Sequence, residues 1–222
     1  MSAKEHDLRE QIAYFGRSLF ERGLTAGSSG NISVRLDDGW LITPTNCCLG
    51  NLDPTHISRL DQQGNLLSGN APSKELFLHQ AFLRKRPQDK AIVHLHSTYA
   101  TAVSCLPDLN PMDMLPPLTP YSIMRFGKVA LTPYHRPGDK RLGDEIAKVA
   151  CDYRAVLLAN HGSIVAAKDL EAAVYAAEEL EETAKLFILL HGLRPRLLTA
   201  EQVDELNRDY GPQNADNTPS CC

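Results

Sequence analysis

The run Ala91-Ile92-Val93-His94-Leu95-His96 is apolar until two histidines flank a leucine at its end. Such a run reads as a buried strand. Side chains alternate faces along a strand, so His94 and His96 project to the same side, with backbones about 7 Å apart. Two imidazoles at that spacing can chelate one metal ion. A third histidine, His161 in Asn160-His161-Gly162, follows a second apolar run, Ala155 to Ala159. Three imidazoles leave one coordination position open, the pattern of a catalytic rather than a structural metal. The competing reading is a chance histidine pair satisfied within a core, and the second apolar run ending at His161 weighs against it.

Composition narrows the remaining classes. A chain of 222 residues can bury the core of one sizeable domain. Its net charge of -4 supplies no global basic field for nucleic acid or an anionic membrane. Any anion site must therefore be local. No apolar run approaches the roughly 20 residues of a membrane span. The N-terminus is charged and enters an amphipathic pattern at once, unlike a signal peptide. The six cysteines, Cys47, Cys48, Cys105, Cys151, Cys221 and Cys222, include no CxxC pair. They form no disulfide framework, and a reducing cytoplasm fits them.

Leu8, Ile12, Phe15 and Leu19 predict an amphipathic helix over the first ~20 residues. Hairpins are expected from Asn31 to Thr43 around Asp37-Asp38-Gly39, and from Ile57 to Leu67 around Gln62-Gln63-Gly64. Pro72-Ser73 opens a predicted helix to about Arg84. The histidine strand follows, then a short helix from Thr98 to Cys105 and a proline-rich loop from Leu106 to Pro120. Lys128 to Thr132, Ala155 to Ala159 and Gly162 to Ala166 read as strands. Lys140 to Cys151 and Leu170 to His191 read as helices, and Thr199-Ala200-Glu201-Gln202 begins a last one with a capping box. The expected fold class is α/β, a single domain over residues 1–210 with a central, largely antiparallel sheet covered by helices. Residues 211–222 are expected to form a flexible tail.

Three segments are suited to anion binding. Thr25 to Ser33 gathers small residues, hydroxyls and Asn31 ahead of a strand, where backbone N–H groups can face phosphate oxygens. Ile42-Thr43-Pro44-Thr45-Asn46 repeats the theme. Ala71-Pro72-Ser73-Lys74-Glu75 places Ser73 and Lys74 at a helix start, where the dipole favours an anion. Glu75, expected in the first turn of that helix, is a candidate general base or metal ligand. Its competing role is to favour the helix dipole.

Taken in order, Ser29-Gly30-Asn31-Ile32-Ser33, Ile42-Thr43-Pro44-Thr45, Pro72-Ser73-Lys74-Glu75, His94-Leu95-His96 and Asn160-His161-Gly162 resemble the class II aldolase/adducin family. The resemblance runs over about residues 8–205. It implies a divalent metal, zinc by type, on His94, His96 and His161. It also implies phosphate binding by Asn31, Thr45 and Ser73, an acid/base role for Glu75, and a homotetramer with active sites at subunit interfaces. Tyr121 falls near the tyrosine proton donor of the family's fuculose phosphate aldolases. Two positions depart from the aldolase pattern: Asn46 stands for a glycine, and Lys74 for a second serine. Lys74 would place positive charge beside Ser73, toward phosphate or a substrate carboxylate. The segment Leu115 to Gly127 looks most like the family's sugar-acid branch. That likeness implies decarboxylation of a phosphorylated four-carbon sugar acid in the cytoplasm. The rival readings are an aldolase cleaving a ketose phosphate, and a non-catalytic adducin-like binding protein.

Overall fold

The computed structural model describes residues 2–210; the expected tail, 211–222, lies outside them. Eight strands form one sheet in the order β4-β3-β2-β1-β5-β8-β7-β6. They are β1 (Asn31–Leu36), β2 (Gly39–Ile42), β3 (Ser58–Leu60), β4 (Leu66–Ser68), β5 (Ala91–Leu95), β6 (Val129–Thr132), β7 (Ala155–Leu158) and β8 (Gly162–Ala167). Every neighbouring pair is antiparallel except β6 with β7. That parallel pair is joined through helix α5 (Arg141–Val149), as a crossover requires. The sheet is thus largely antiparallel and covered by helices, as the sequence implies.

Strand alternation divides the interior into two cores. Val93 and Leu95 of β5 pack with Ile12 and Leu19 of α1 (Ala3–Glu21), Val103 of α3 (Thr98–Ser104) and Leu180 of α6 (Leu170–Leu190). Ile92 of β5 and Ile164 of β8 face the other way, against Leu78 and Phe82 of α2 (Leu76–Lys85) and Ile146 of α5. His94 follows Ile92 by two residues and therefore shares the α2 face. Burial on both faces explains why β5 carries no regular polar alternation.

One local expectation is corrected. The helix expected to open at Pro72-Ser73 begins at Leu76, and Glu75 is its N-cap rather than part of its first turn. Pro72 instead bridges to Pro44 in an extended pairing. The proline-rich stretch is a loop through Thr119, as expected, and a short helix α4 (Pro120–Arg125) follows it. Its signals are local: Thr119 Oγ1 accepts from the Ser122 N–H, and Pro120 occupies the first helical position. The expected capping box opens α7 (Ala200–Tyr210), with Thr199 and Gln202 each accepting from the other's backbone N–H.

A buried carboxylate ties the segment after the histidine strand to α6. Glu181 accepts from Ser97 Oγ at 2.7 Å and from the N–H groups of Tyr99 and Ala100, both at 2.8 Å. It satisfies the free N-terminal donors of α3. Glu181→Ala leaves these donors unpaired and should lower unfolding stability by about 3 kcal/mol. Urea titration of the purified variant measures this, and a change below about 0.5 kcal/mol would show the contact to be incidental.

Candidate metal centre

The histidines meet at one end of the sheet. His94 sits at the end of β5, His96 one residue beyond it, and His161 in the turn between β7 and β8. The pairing of Leu158 with Gly162 leaves residues 159–161 to close that turn. Asn160 takes φ 56°, a left-handed conformation that asparagine tolerates better than most side chains. Gly162 lets the turn lie against the histidine strand. A Cβ there would stand 2.3 Å from the Leu95 carbonyl oxygen and 3.2 Å from His96 Cδ2.

One nitrogen from each of the three rings lies within 4.8 Å of the others. His94 Nε2 and His96 Nε2 are 3.0 Å apart, close to the separation of about 3.3 Å for two nitrogens on one tetrahedral zinc. His94 Nδ1 lies 2.7 Å from the Ser163 carbonyl oxygen. A carbonyl only accepts, so Nδ1 carries the proton and Nε2 presents a lone pair. Burial holds all three imidazoles below their ordinary pKa, with each other's charge adding to the effect on His94. Neutral rings are the form that binds metal.

Glu75 completes the cluster. Its Oε2 is 3.4 Å from His94 Nε2, and its Oε1 is 3.6 Å from His161 Nε2. The side chain makes no capping bond to α2, and its carboxyl turns toward the cluster instead. A carboxylate and lone-pair nitrogens directed at one point repel unless a cation lies between them. The donor set therefore fits a divalent metal, with three histidine ligands and Glu75 at hand as a fourth.

The sequence-predicted anion residues gather beside these groups. The Thr45 N–H donates to the Ala71 carbonyl, and the Ser73 N–H donates to Thr43. These bonds zip the two segments together and bring Thr45, Asn46, Ser73 and Lys74 into one neighbourhood. Asn46 adopts φ 55°, a position that glycine also serves. Ser73 is buried and its Oγ accepts from the Glu75 N–H, whereas Lys74 is exposed. A cleft lined by Thr45, Asn46, His56 and Asn70 opens beside these residues and contains none of the three cluster histidines. The loop before β1 contributes less than its composition suggests. Thr25 and Ser29 donate to carbonyls within the loop itself, at 2.7 and 2.6 Å.

Asn31, at the start of β1, pairs directly with His94 and donates from Nδ2 to Glu75 Oε2 at 2.8 Å. His79, which sequence reasoning passed over, belongs here, and so does Ser33, the last residue of the first segment expected to bind an anion. His79 Nε2 meets Asn31 Oδ1, and His79 Nδ1 meets Ser33 Oγ at 2.7 Å. The available signal was spacing: Glu75 and His79 are four residues apart, on one helical face. Tyr121 lies elsewhere. It is 59% exposed on α4 and lines a surface groove with Arg125, Tyr175 and Glu179 that holds no histidine of the cluster.

Residues 10–188 match the family described as Class II Aldolase and Adducin N-terminal domain. The chain belongs to this family. It is 50% identical over 206 residues to a 3-oxo-tetronate 4-phosphate decarboxylase from Pectobacterium atrosepticum, covering 92% of this chain and 94% of that one. The crystal structure of YgbL from Escherichia coli superposes with a TM-score of 0.89 at 48% identity, over 91% of this chain and 98% of that one. An L-fuculose phosphate aldolase from Escherichia coli is 36% identical over 187 residues, covering 83% of this chain and 84% of that one.

Two outcomes follow from this geometry. His94→Ala should reduce bound metal from about one ion per subunit to a small fraction. Metal analysis after dialysis measures this, and full occupancy in the variant would remove His94 from the ligand set. The second concerns pH. Burial lowers His79 to about 3 from its ordinary 6.5, and lowers the three cluster histidines as well. Below about 6.5 the unfolded chain therefore binds more protons than the folded one, so stability is full above that pH and falls beneath it. The urea midpoint of metal-free protein should drop between about pH 7.5 and about pH 5.5. Equal midpoints would count against buried neutral imidazoles.

Proposed function

We propose that the chain is a lyase that decarboxylates 3-oxo-tetronate 4-phosphate to dihydroxyacetone phosphate and carbon dioxide. The observation that carries this reading is 50% identity to a decarboxylase of that name across nearly the whole of both chains, against 36% to the fuculose phosphate aldolase. The family's non-catalytic adducin-like members are a poorer match for a chain that keeps three converging histidines and an adjacent carboxylate.

In this reaction the C1–C2 bond breaks, its electron pair passes to C2 and the 3-keto oxygen, and C2 then takes a proton. His94, His96 and His161 would hold a divalent metal, with zinc the proposed ion, and it would supply Lewis acidity toward the keto oxygen. Glu75, ionised at rest, would relay to C2 a proton taken from solvent, a role supported by its carboxyl facing the cluster. Thr45 and Ser73 anchor the 4-phosphate, with Asn46 beside them and the second Nδ2 hydrogen of Asn31 directed to the same anion. Lys74 adds positive charge there or at the substrate carboxylate. Removing water and fixing the carboxylate perpendicular to the carbonyl would be the task of the surrounding walls.

Tyr121 stands outside the cluster of its own subunit. In a homotetramer with sites at subunit interfaces, a tyrosine exposed on α4 would serve a neighbouring subunit's site as a second proton donor. Cys47, Cys48 and Cys105 are free thiols, and no helix among the described residues is long and apolar enough to cross a membrane. Reduced thiols support a cytoplasmic location for the enzyme.

Aldol cleavage of a ketose phosphate leaves the same electron pair beside a carbonyl and differs only in the departing group. The deciding experiment supplies metal-loaded protein with enzymatically made 3-oxo-tetronate 4-phosphate and, separately, with L-fuculose 1-phosphate. Carbon dioxide release above the spontaneous rate, without lactaldehyde from the second substrate, is expected. Lactaldehyde without accelerated carbon dioxide release would make the chain an aldolase.

A further inference from the structure

We infer that His79 is a positioning residue for Glu75, acting through Asn31, and that Ser33 supplies the donor that completes this hydrogen-bonded chain. The inference rests on Glu75 serving the reaction proposed above. Its direction follows from donors and acceptors alone. An ionised carboxylate only accepts, so the group that Asn31 turns toward Glu75 must be its amide nitrogen. Asn31 then presents Oδ1 to His79, and Nε2 of that ring must be the donor. A neutral imidazole with its proton on Nε2 has a bare Nδ1, which accepts from the Ser33 hydroxyl. Every bond therefore points from Ser33 through His79 and Asn31 to Glu75.

Such a chain does more than satisfy buried atoms. An asparagine amide can rotate by half a turn at little cost to packing, exchanging its oxygen for its nitrogen. Rotated, Asn31 would face Glu75 with a carbonyl oxygen and repel it from the histidine cluster. The Nε2–H of His79 bars that rotation, because it would meet an NH2 group instead of an acceptor. The ring is wholly buried and so stays neutral, with a single proton to place. Its position is set by the same helix that Glu75 caps, one turn further on. Asn31 and Ser33 share a face of β1, so one strand and one helix carry the whole chain.

Three variants test it: His79→Leu, His79→Gln and Ser33→Ala. Glutamine keeps an N–H donor where the ring presents Nε2–H, whereas leucine fills the space without one. Turnover is read as whichever of carbon dioxide or lactaldehyde the wild type releases, so failure of the decarboxylase reading leaves the comparison standing. His79→Leu is expected to keep its metal, to hold KM within about twofold, and to lose roughly ten- to hundredfold in kcat. His79→Gln should recover most of that loss, and Ser33→Ala should lose several-fold. Equal losses in the leucine and glutamine variants, or none in leucine, would overturn the inference. Neutron diffraction of the deuterated wild type gives a readout independent of turnover and of variant folding. Deuterium on Nε2 of His79 and none on Nδ1 is expected, and the reverse would also overturn it.

Discussion

The pairing of Asn31 with His94 across the β1–β5 ladder is the constraint on which the site depends. It sets two strands in register so that Asn31 and Ser33 on one, and His94 on the other, face the same helix. A slip of one residue would turn every one of these groups to the opposite face, where α1, α3 and α6 pack an apolar core. Ile92 and Ile164 oppose that slip, since they must remain against α2 and α5. The apolar packing of β5 on both faces thus orients a polar site that adds nothing to that packing.

Around that pairing, the site is assembled from groups that would be unfavourable together without a cation. Burial strips the imidazoles of their protons, the Ser163 carbonyl takes the remaining Nδ1 hydrogen of His94, and Glu75 adds negative charge a few ångströms away. The chain tolerates this because rigid elements hold each member: a sheet under the histidines, a tight turn under His161, and a helix behind Glu75. Such preorganisation costs stability in the metal-free protein, and metal binding offsets it. The same arrangement suits any reaction that leaves an electron pair next to a carbonyl. Decarboxylation and aldol cleavage can therefore share it, and specificity must come from groups that meet the rest of the substrate, the role proposed for Lys74.

Much of this was legible in the sequence. His-x-His in an apolar run implied a shared face, and a histidine after a second apolar run implied the third donor, because strand period is a local rule. The pairing order was not legible, since antiparallel ladders between distant segments depend on the whole sheet. Glu75 looked like a helical residue because Pro72 and Ser73 supply a helix-start signature. The bridge of Pro72 to Pro44 takes those residues into an extended pairing instead, and the helix starts late. His79 escaped notice because a histidine within an amphipathic pattern most often completes a helical face. Its role emerges only when β1 is laid across α2. The anion loop misled in the other direction: its hydroxyls looked available, yet Thr25 and Ser29 are spent on closing the loop.

The Glu181 contact with the start of α3 has a consequence for how the molecule breathes. His96 is followed immediately by Ser97, and Glu181 grips Ser97, Tyr99 and Ala100 from α6. Opening this stretch exposes the Tyr99 and Ala100 amides to solvent and releases the histidine next to them in the same excursion. A ligand that holds His96 in place penalises that excursion by its own binding free energy. Two backbone amides on the far side of the sheet, with no part in the chemistry, would thus exchange their hydrogens at a rate set by how fully the metal centre is loaded.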